Sequence, residues 1–108
     1  MSQYGNGTVT AATQPDTQPT TIDANTADPH SWSSGVQRKV IISLLDDSDV
    51  TRLLIKYNGT ASASDWDQFL TPGRYTPSPD GIHVASVSIY AVGADCTFGT
   101  EYQVQGWQ

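Results

Sequence analysis

At 108 residues, with a formal net charge of −6 and five Lys or Arg, the chain has room for one domain with one modest core. So few cations, spread between Arg38 and Arg74, argue against nucleic acid as a partner, because nucleic-acid binding needs clustered Lys and Arg to displace counterions. The single cysteine, Cys96, excludes an intrachain disulfide, and apolar runs as short as Val40-Ile-Ile42 exclude a membrane-spanning helix and with it a membrane partner.

Residues 1–35 differ in composition from the remainder. They are rich in Thr, Ser, Asn, Gln, Asp and Pro, contain no Lys or Arg, and are interrupted by Pro15, Pro19 and Pro29. The start lacks the basic and apolar regions of a signal peptide. The stretch reads as an extended polar N-terminal arm ahead of a body spanning 36–108. Two readings of the arm stand. Composition favours a floppy terminus, whereas the aromatic anchors Tyr4 and Trp32, set in polar surroundings, favour a segment that orders against a partner. Within it Thr8-Val9-Thr10 is a candidate short strand. Such an arm, fully extended, would reach on the order of 100 Å, onto a neighbouring subunit.

Residues 36–45 read as the first strand, with Val36, Arg38, Val40, Ile42 and Leu44 on one face. Asp46-Asp-Ser-Asp49 is a turn, and residues 50–57 return, which implies a hairpin. In that second strand Leu53, Ile55 and Tyr57 share one face. Arg52 and Lys56 bracket Leu54 on the other, which is expected to be wet or half covered. Asn58-Gly59 ends the strand, because both residues tolerate positive φ. Residues 66–70 read as a short strand carrying Trp66 inward. Thr71-Pro-Gly-Arg74 has the signature of a type II turn, and short strands are expected at 74–76 and 82–84. Residues 86–92 alternate strongly, and residues 96–104 read as one strand with Cys96, Phe98, Thr100, Tyr102 and Val104 on its inner face. The pattern predicts an all-β fold, an antiparallel, jelly-roll-like β-sandwich of six to eight short strands.

Constellations for chemistry are sparse. Asp47 and Asp49 with Asp65 and Asp67 are candidate Ca²⁺ ligands, provided their two loops meet in space. Counted from Asp47, Arg52 stands where an EF-hand requires glycine. The only histidines, His30 and His83, show no short-spaced ligand pair for zinc. Cys96 opens a strand on its apolar face, where a thiol behaves as a small hydrophobe. There is no nucleophile elbow, no phosphate loop, and one Glu, Glu101. No catalytic residue, resident metal or cofactor is therefore expected. Trp32, Trp66, Trp107, Tyr4, Tyr75 and Tyr102 would make a sugar platform if three or more rings lay coplanar on one exposed face. Otherwise Trp66 and Tyr102 belong to the core, and the outlying aromatics to contacts between subunits. Asn58-Gly59-Thr60 matches a glycosylation sequon, though a strand-ending turn also explains it.

Val40-Ile-Ile42 is followed by Leu53-Leu-Ile-Lys-Tyr-Asn58, a small polar loop, residues 66–69, Leu70-Thr-Pro-Gly73, a Pro-Asp-Gly loop and Ser88-Ile-Tyr-Ala-Val-Gly93. This order of elements resembles that of small β-sandwich virion proteins of tailed bacteriophages. The resemblance covers residues 36–104 and leaves the arm unmatched. It implies a non-enzymatic capsid decoration or cement protein, made in the host cytoplasm and placed on the capsid surface of the virion. The partners it implies are the major capsid protein and copies of the chain itself, commonly as a trimer. Tyr4, Thr8, Val9, Thr10, Trp32 and Trp107 are the candidate interface residues. The alternative is a carbohydrate-binding or host-attachment module on a virion or secreted enzyme.

Overall fold

Alternating apolar residues become strands wherever one side can face a core. The computed structural model describes residues 11–108, and the strands in that range are β1 (Thr21–Ile22), β2 (Ala27–Ser31), β3 (Lys39–Leu44), β4 (Arg52–Tyr57), β5 (Gln68–Leu70), β6 (Arg74–Pro77), β7 (Ser86–Val92), β8 (Cys96–Thr97) and β9 (Tyr102–Trp107). All ladders between them are antiparallel, and no helix occurs among the described residues. One sheet has the order β2-β7-β4-β5 and a second the order β6-β3-β9, while β1 and β8 form a small ladder of their own. Thr13 adds a single bridge to Gly106 on the free side of β9.

Followed along the chain, the strands alternate between the two sheets in a definite order. β2 lies in the first sheet, β3 in the second, β4 and β5 in the first, β6 in the second, β7 in the first and β9 in the second. β7 inserts between β2 and β4, and β9 lies beside β3. With the Thr13 bridge as a vestigial eighth strand, this is the strand order of a jelly roll, the expected fold. The inner faces supply the core: Val40, Ile42, Leu44, Tyr102 and Val104 from one sheet, and Leu53, Ile55, Leu70, Val87, Ile89 and Ala91 from the other. Each Val, Leu or Ile among them, fully buried, contributes roughly 1.5–3 kcal/mol of transfer free energy.

Several expectations change. Strands β3 and β4 are not a hairpin: they lie in different sheets, and the Asp-rich loop crosses between them. The N–H of Leu45 accordingly donates to the carbonyl of Glu101 (2.8 Å) and that of Thr51 to Val92 (2.8 Å), rather than to each other's strand. Leu54 is 2% exposed, not half covered, because Tyr90 and Phe69 flank it in the ladder. The strand expected at 96–104 is two strands. Gly99 takes φ +91°, its N–H donates to the Tyr102 carbonyl (2.8 Å), and a Glu101 carboxylate oxygen accepts from the Thr97 N–H (3.0 Å). Residues 82–84 reduce to one bridge, Gln37 to Val84. The turn at 71–74 is as expected, with the Arg74 N–H donating to the Thr71 carbonyl (3.2 Å) and Gly73 at φ +87°.

The boundary expected at residue 35 does not separate an arm from a body. Residues 21–31 supply β1 and β2, and Ile22, His30 and Trp32 are buried. Pro29 broke the sequence pattern but not the strand, because β2 is an edge strand, where a missing N–H is tolerated. Further upstream, Thr13 bridges to β9 and Thr17 to Ser31 on β2, so residues 13–17 lace the two sheets along one lateral side.

Candidate functional site

With one lateral side laced, the other is formed by the two remaining edge strands, β5 and β6. The turn at 71–74 joins them. Gln68 also ties them, its amide nitrogen donating to the Pro77 carbonyl (3.0 Å) and its amide oxygen accepting from the Tyr57 hydroxyl (2.7 Å). Burial, followed by the nearby Asp67 charge, raises the Tyr57 phenol's pKa and keeps it a hydroxyl donor.

The two edge strands and the loop before β5 carry large exposed side chains. Phe69 is 48% exposed, Tyr75 70% and Trp66 38%. Trp66 and Phe69 meet edge to face, with centroids 5.6 Å apart and planes at 80°. The Arg52 guanidinium carbon lies 5.8 Å from the Phe69 centroid, within cation–π range. Tyr75 pairs with Ser43 and so faces outward from the second sheet. The ion pairs among the described residues are Lys39–Asp80 (2.8 Å) and Lys56 with Asp65 (3.0 Å) and Asp67 (3.9 Å), which leave Arg52 and Arg74 without a carboxylate in salt-bridge range. Trp, Tyr and Arg are the side chains enriched at the energetic centres of protein interfaces.

The sugar reading requires three coplanar rings. Trp66 and Phe69 are nearly perpendicular, and Tyr75 projects from the opposite sheet. Trp66 is not in the core, as alternation implied, because β5 starts only at Gln68 and the preceding loop carries the indole outward. Tyr102 is in the core as expected.

The calcium expectation is overturned. Asp47 and Asp49 precede β4, whereas Asp65 and Asp67 lie in the loop after it, so the pairs sit at opposite ends of a strand about 20 Å long. Asp65 and Asp67 are instead engaged by Lys56, and Asp67 also accepts the Tyr57 N–H (2.9 Å). No group of three or more His, Cys, Asp or Glu converges among the described residues.

Among the interface candidates, Trp32 is corrected. It is 6% exposed, and its indole N–H donates to the Thr13 carbonyl (3.0 Å), so it fastens the lacing segment to the core. Trp107 is half-buried at the end of β9. Tyr4, Thr8, Val9 and Thr10 lie outside the described residues.

Two polar arrangements, one buried and one exposed, were not legible in the sequence. His30 is fully buried on β2, with Nε2 2.6 Å from the Tyr102 hydroxyl and Nδ1 3.2 Å from the Asp28 carbonyl. Burial pushes its pKa down to about 4 against two backbone hydrogen bonds that favour the charged form. Asn58, at φ +59°, donates from its amide to the His83 carbonyl (2.8 Å) and accepts from the N–H groups of Ala85 (2.7 Å) and Ser86 (3.3 Å). The sequon residue is therefore a clamp between two loops. Cys96 is also buried, and burial pushes its thiol up to about 12, far from a nucleophile's range. Compared with known proteins, the chain matches no family model, no curated protein and no solved structure.

Proposed function

We propose that this chain is a non-enzymatic structural protein of a tailed-phage virion, a capsid decoration or cement protein that binds the outer shell and bridges its subunits. The observation that carries the reading is the asymmetry of the jelly roll. One lateral side is laced by residues 13–17, while the edge strands of the other, with the loop before β5, carry Trp66, Phe69 and Tyr75 exposed on their outer faces, and Arg52 and Arg74 have no carboxylate partner among the described residues. Jelly rolls are common in viral capsid proteins, though fold alone does not assign function. The loose resemblance of residues 36–104 to phage virion proteins points the same way. A shell-binding protein needs a rigid body and adhesive side chains more than a cleft, and many modest contacts repeated over a lattice act together.

The test is co-sedimentation of the purified chain with undecorated shells. Saturable binding at a fixed number of copies per shell, weakened by Phe69→Ser and Tyr75→Ser, is the expected result. Failure to bind any shell preparation of its host phage would defeat the proposal. A companion truncation should stop at residue 10. Removing residues 1–34 would take β1 and β2 out of the sheets and unfold what it means to test.

A further inference from the structure

Asn58-Gly59 joins a chemically labile side chain to a backbone nitrogen that no neighbouring side chain shields. In a free chain the Gly59 nitrogen gives up its proton to water and attacks Asn58 Cγ. The Cγ–Nδ2 bond breaks, Nδ2 leaves as ammonia, and a five-membered imide closes. Water then opens the imide at either carbonyl. Cleavage at Cγ yields aspartate on the original backbone. Cleavage at the main-chain carbonyl yields isoaspartate, whose backbone runs through Cβ and Cγ.

Asn58 is exposed to water, so burial does not protect it from this reaction. Its carboxamide is instead held at both ends. Nδ2 donates to the His83 carbonyl (2.8 Å), and Oδ1 accepts from the N–H groups of Ala85 (2.7 Å) and Ser86 (3.3 Å). The Asn58 N–H donates to the Ser86 carbonyl (2.9 Å), which fixes the backbone beneath the side chain at φ +59°. Turning Cγ toward the Gly59 nitrogen breaks the three side-chain bonds together. Three hydrogen bonds of ordinary net strength suppress such a turn by about a hundredfold. The products do not rebuild the clamp. A carboxylate has no N–H for the His83 carbonyl and sets oxygen against oxygen there. Isoaspartate adds a methylene to the backbone just after Tyr57, which pairs with Val87.

We infer that Asn58-Gly59 is a self-modification site gated by the fold. The folded chain keeps Asn58 intact, whereas a chain that lingers unfolded converts it and loses the clamp that ties the end of β4 to residues 83–86. The modification is a one-way timer on the unfolded state, and it does not depend on the proposed virion role.

The test ages the full chain at about pH 8, in native buffer and in guanidinium chloride, and follows both Asn-Gly-Thr triplets by peptide mapping. Mass spectrometry reads the gain of about one dalton, and chromatography separates the isoaspartyl peptide. Asn6, outside the described residues, has the same two residues after it as Asn58 and supplies the reference rate in denaturant. In denaturant the two sites should react within about twofold of each other. In native buffer Asn58 should react at least about tenfold slower than in denaturant. Asn58→Asp, which installs one product without ageing, should unfold at a lower urea concentration than the parent. A native rate at Asn58 less than about tenfold below the denatured one would show that the carboxamide turns freely in the fold. Slow reaction at Asn58 even in denaturant would place the protection in local sequence. An Asn58→Asp chain with the parent's midpoint would show that the clamp does not need the amide. Each of these three results would overturn the inference.

Discussion

Acid should loosen this fold through one side chain, His30. Its ring is buried, and its pKa lies at about 4 in the fold against an ordinary 6.5. The folded value is depressed, so the neutral ring's contribution is fully present above pH 6.5 and is lost as pH falls toward 4, where only the unfolded chain takes up the proton. The slope through that window is about 1.4 kcal/mol per pH unit, and the loss across it is about 3 kcal/mol. That is a large fraction of the 5–15 kcal/mol typical of a domain. The groups around the ring are the Tyr102 hydroxyl and the backbone of Val87 and Asp28, with Phe98 and Tyr102 rings against its edges. None is an anion positioned to hold a proton on the imidazole. Urea unfolding at half-unit steps from pH 7.5 to 4 measures the effect. His30→Gln is expected to be less stable at pH 7 but to lose the slope between pH 6.5 and 4.5. A parent curve flat over that window, or a variant with the parent's slope, would refute the reasoning.

Other outcomes follow from single positions. Asn58→Ala removes three hydrogen bonds and puts a residue without local compensation at positive φ, so it should cost about 2–4 kcal/mol in urea melts. Asn58→Gly keeps the backbone relaxed and should cost less, and equal losses would mean that the side-chain bonds contribute everything. A Cβ on Gly106 would lie 2.7 Å from the Gln37 amide oxygen and 2.8 Å from Trp32 Cζ2. Gly106→Ala should therefore destabilise by about 1–3 kcal/mol and red-shift tryptophan emission, and an unshifted spectrum with parental stability would contradict that packing. Cys96, buried and held as a thiol, should react with a soluble disulfide reagent at pH 8 at least about a hundredfold slower than in urea. Labelling at the unfolded rate would show that the strand end opens freely.

Local patterns were enough to show an all-β chain. Apolar residues at alternate positions of 39–44, 52–57 and 86–92 place one side of each strand indoors whatever its partners are. Pro72-Gly73 and Asn58-Gly59 set their turns through backbone sterics that need no distant contact. The candidate site was only partly legible: Tyr75 and Trp66 stand out as aromatics, but alternation over residues 66–70 carries Trp66 inward. A delay of two residues in the start of β5 carried the indole out to the surface, and the pairing of Phe69 with Leu54 put it on the outer face. Alternation cannot report such a delay.

Composition and period-2 patterning determined the class of fold, the inward residues of the strong strands, and the lack of any locally spaced catalytic motif. Tertiary structure alone decided which strands are neighbours. It sent β3 and β4 to different sheets, drew the polar residues 13–31 into the body, separated Asp47 and Asp49 from Asp65 and Asp67, and left β5 and β6 as a bare side. The reason is that strand pairing is made by backbone groups that every residue carries. Its choice of partner rests on long-range packing, such as Trp32 against Gly106 and His30 against Tyr102, between positions some seventy residues apart.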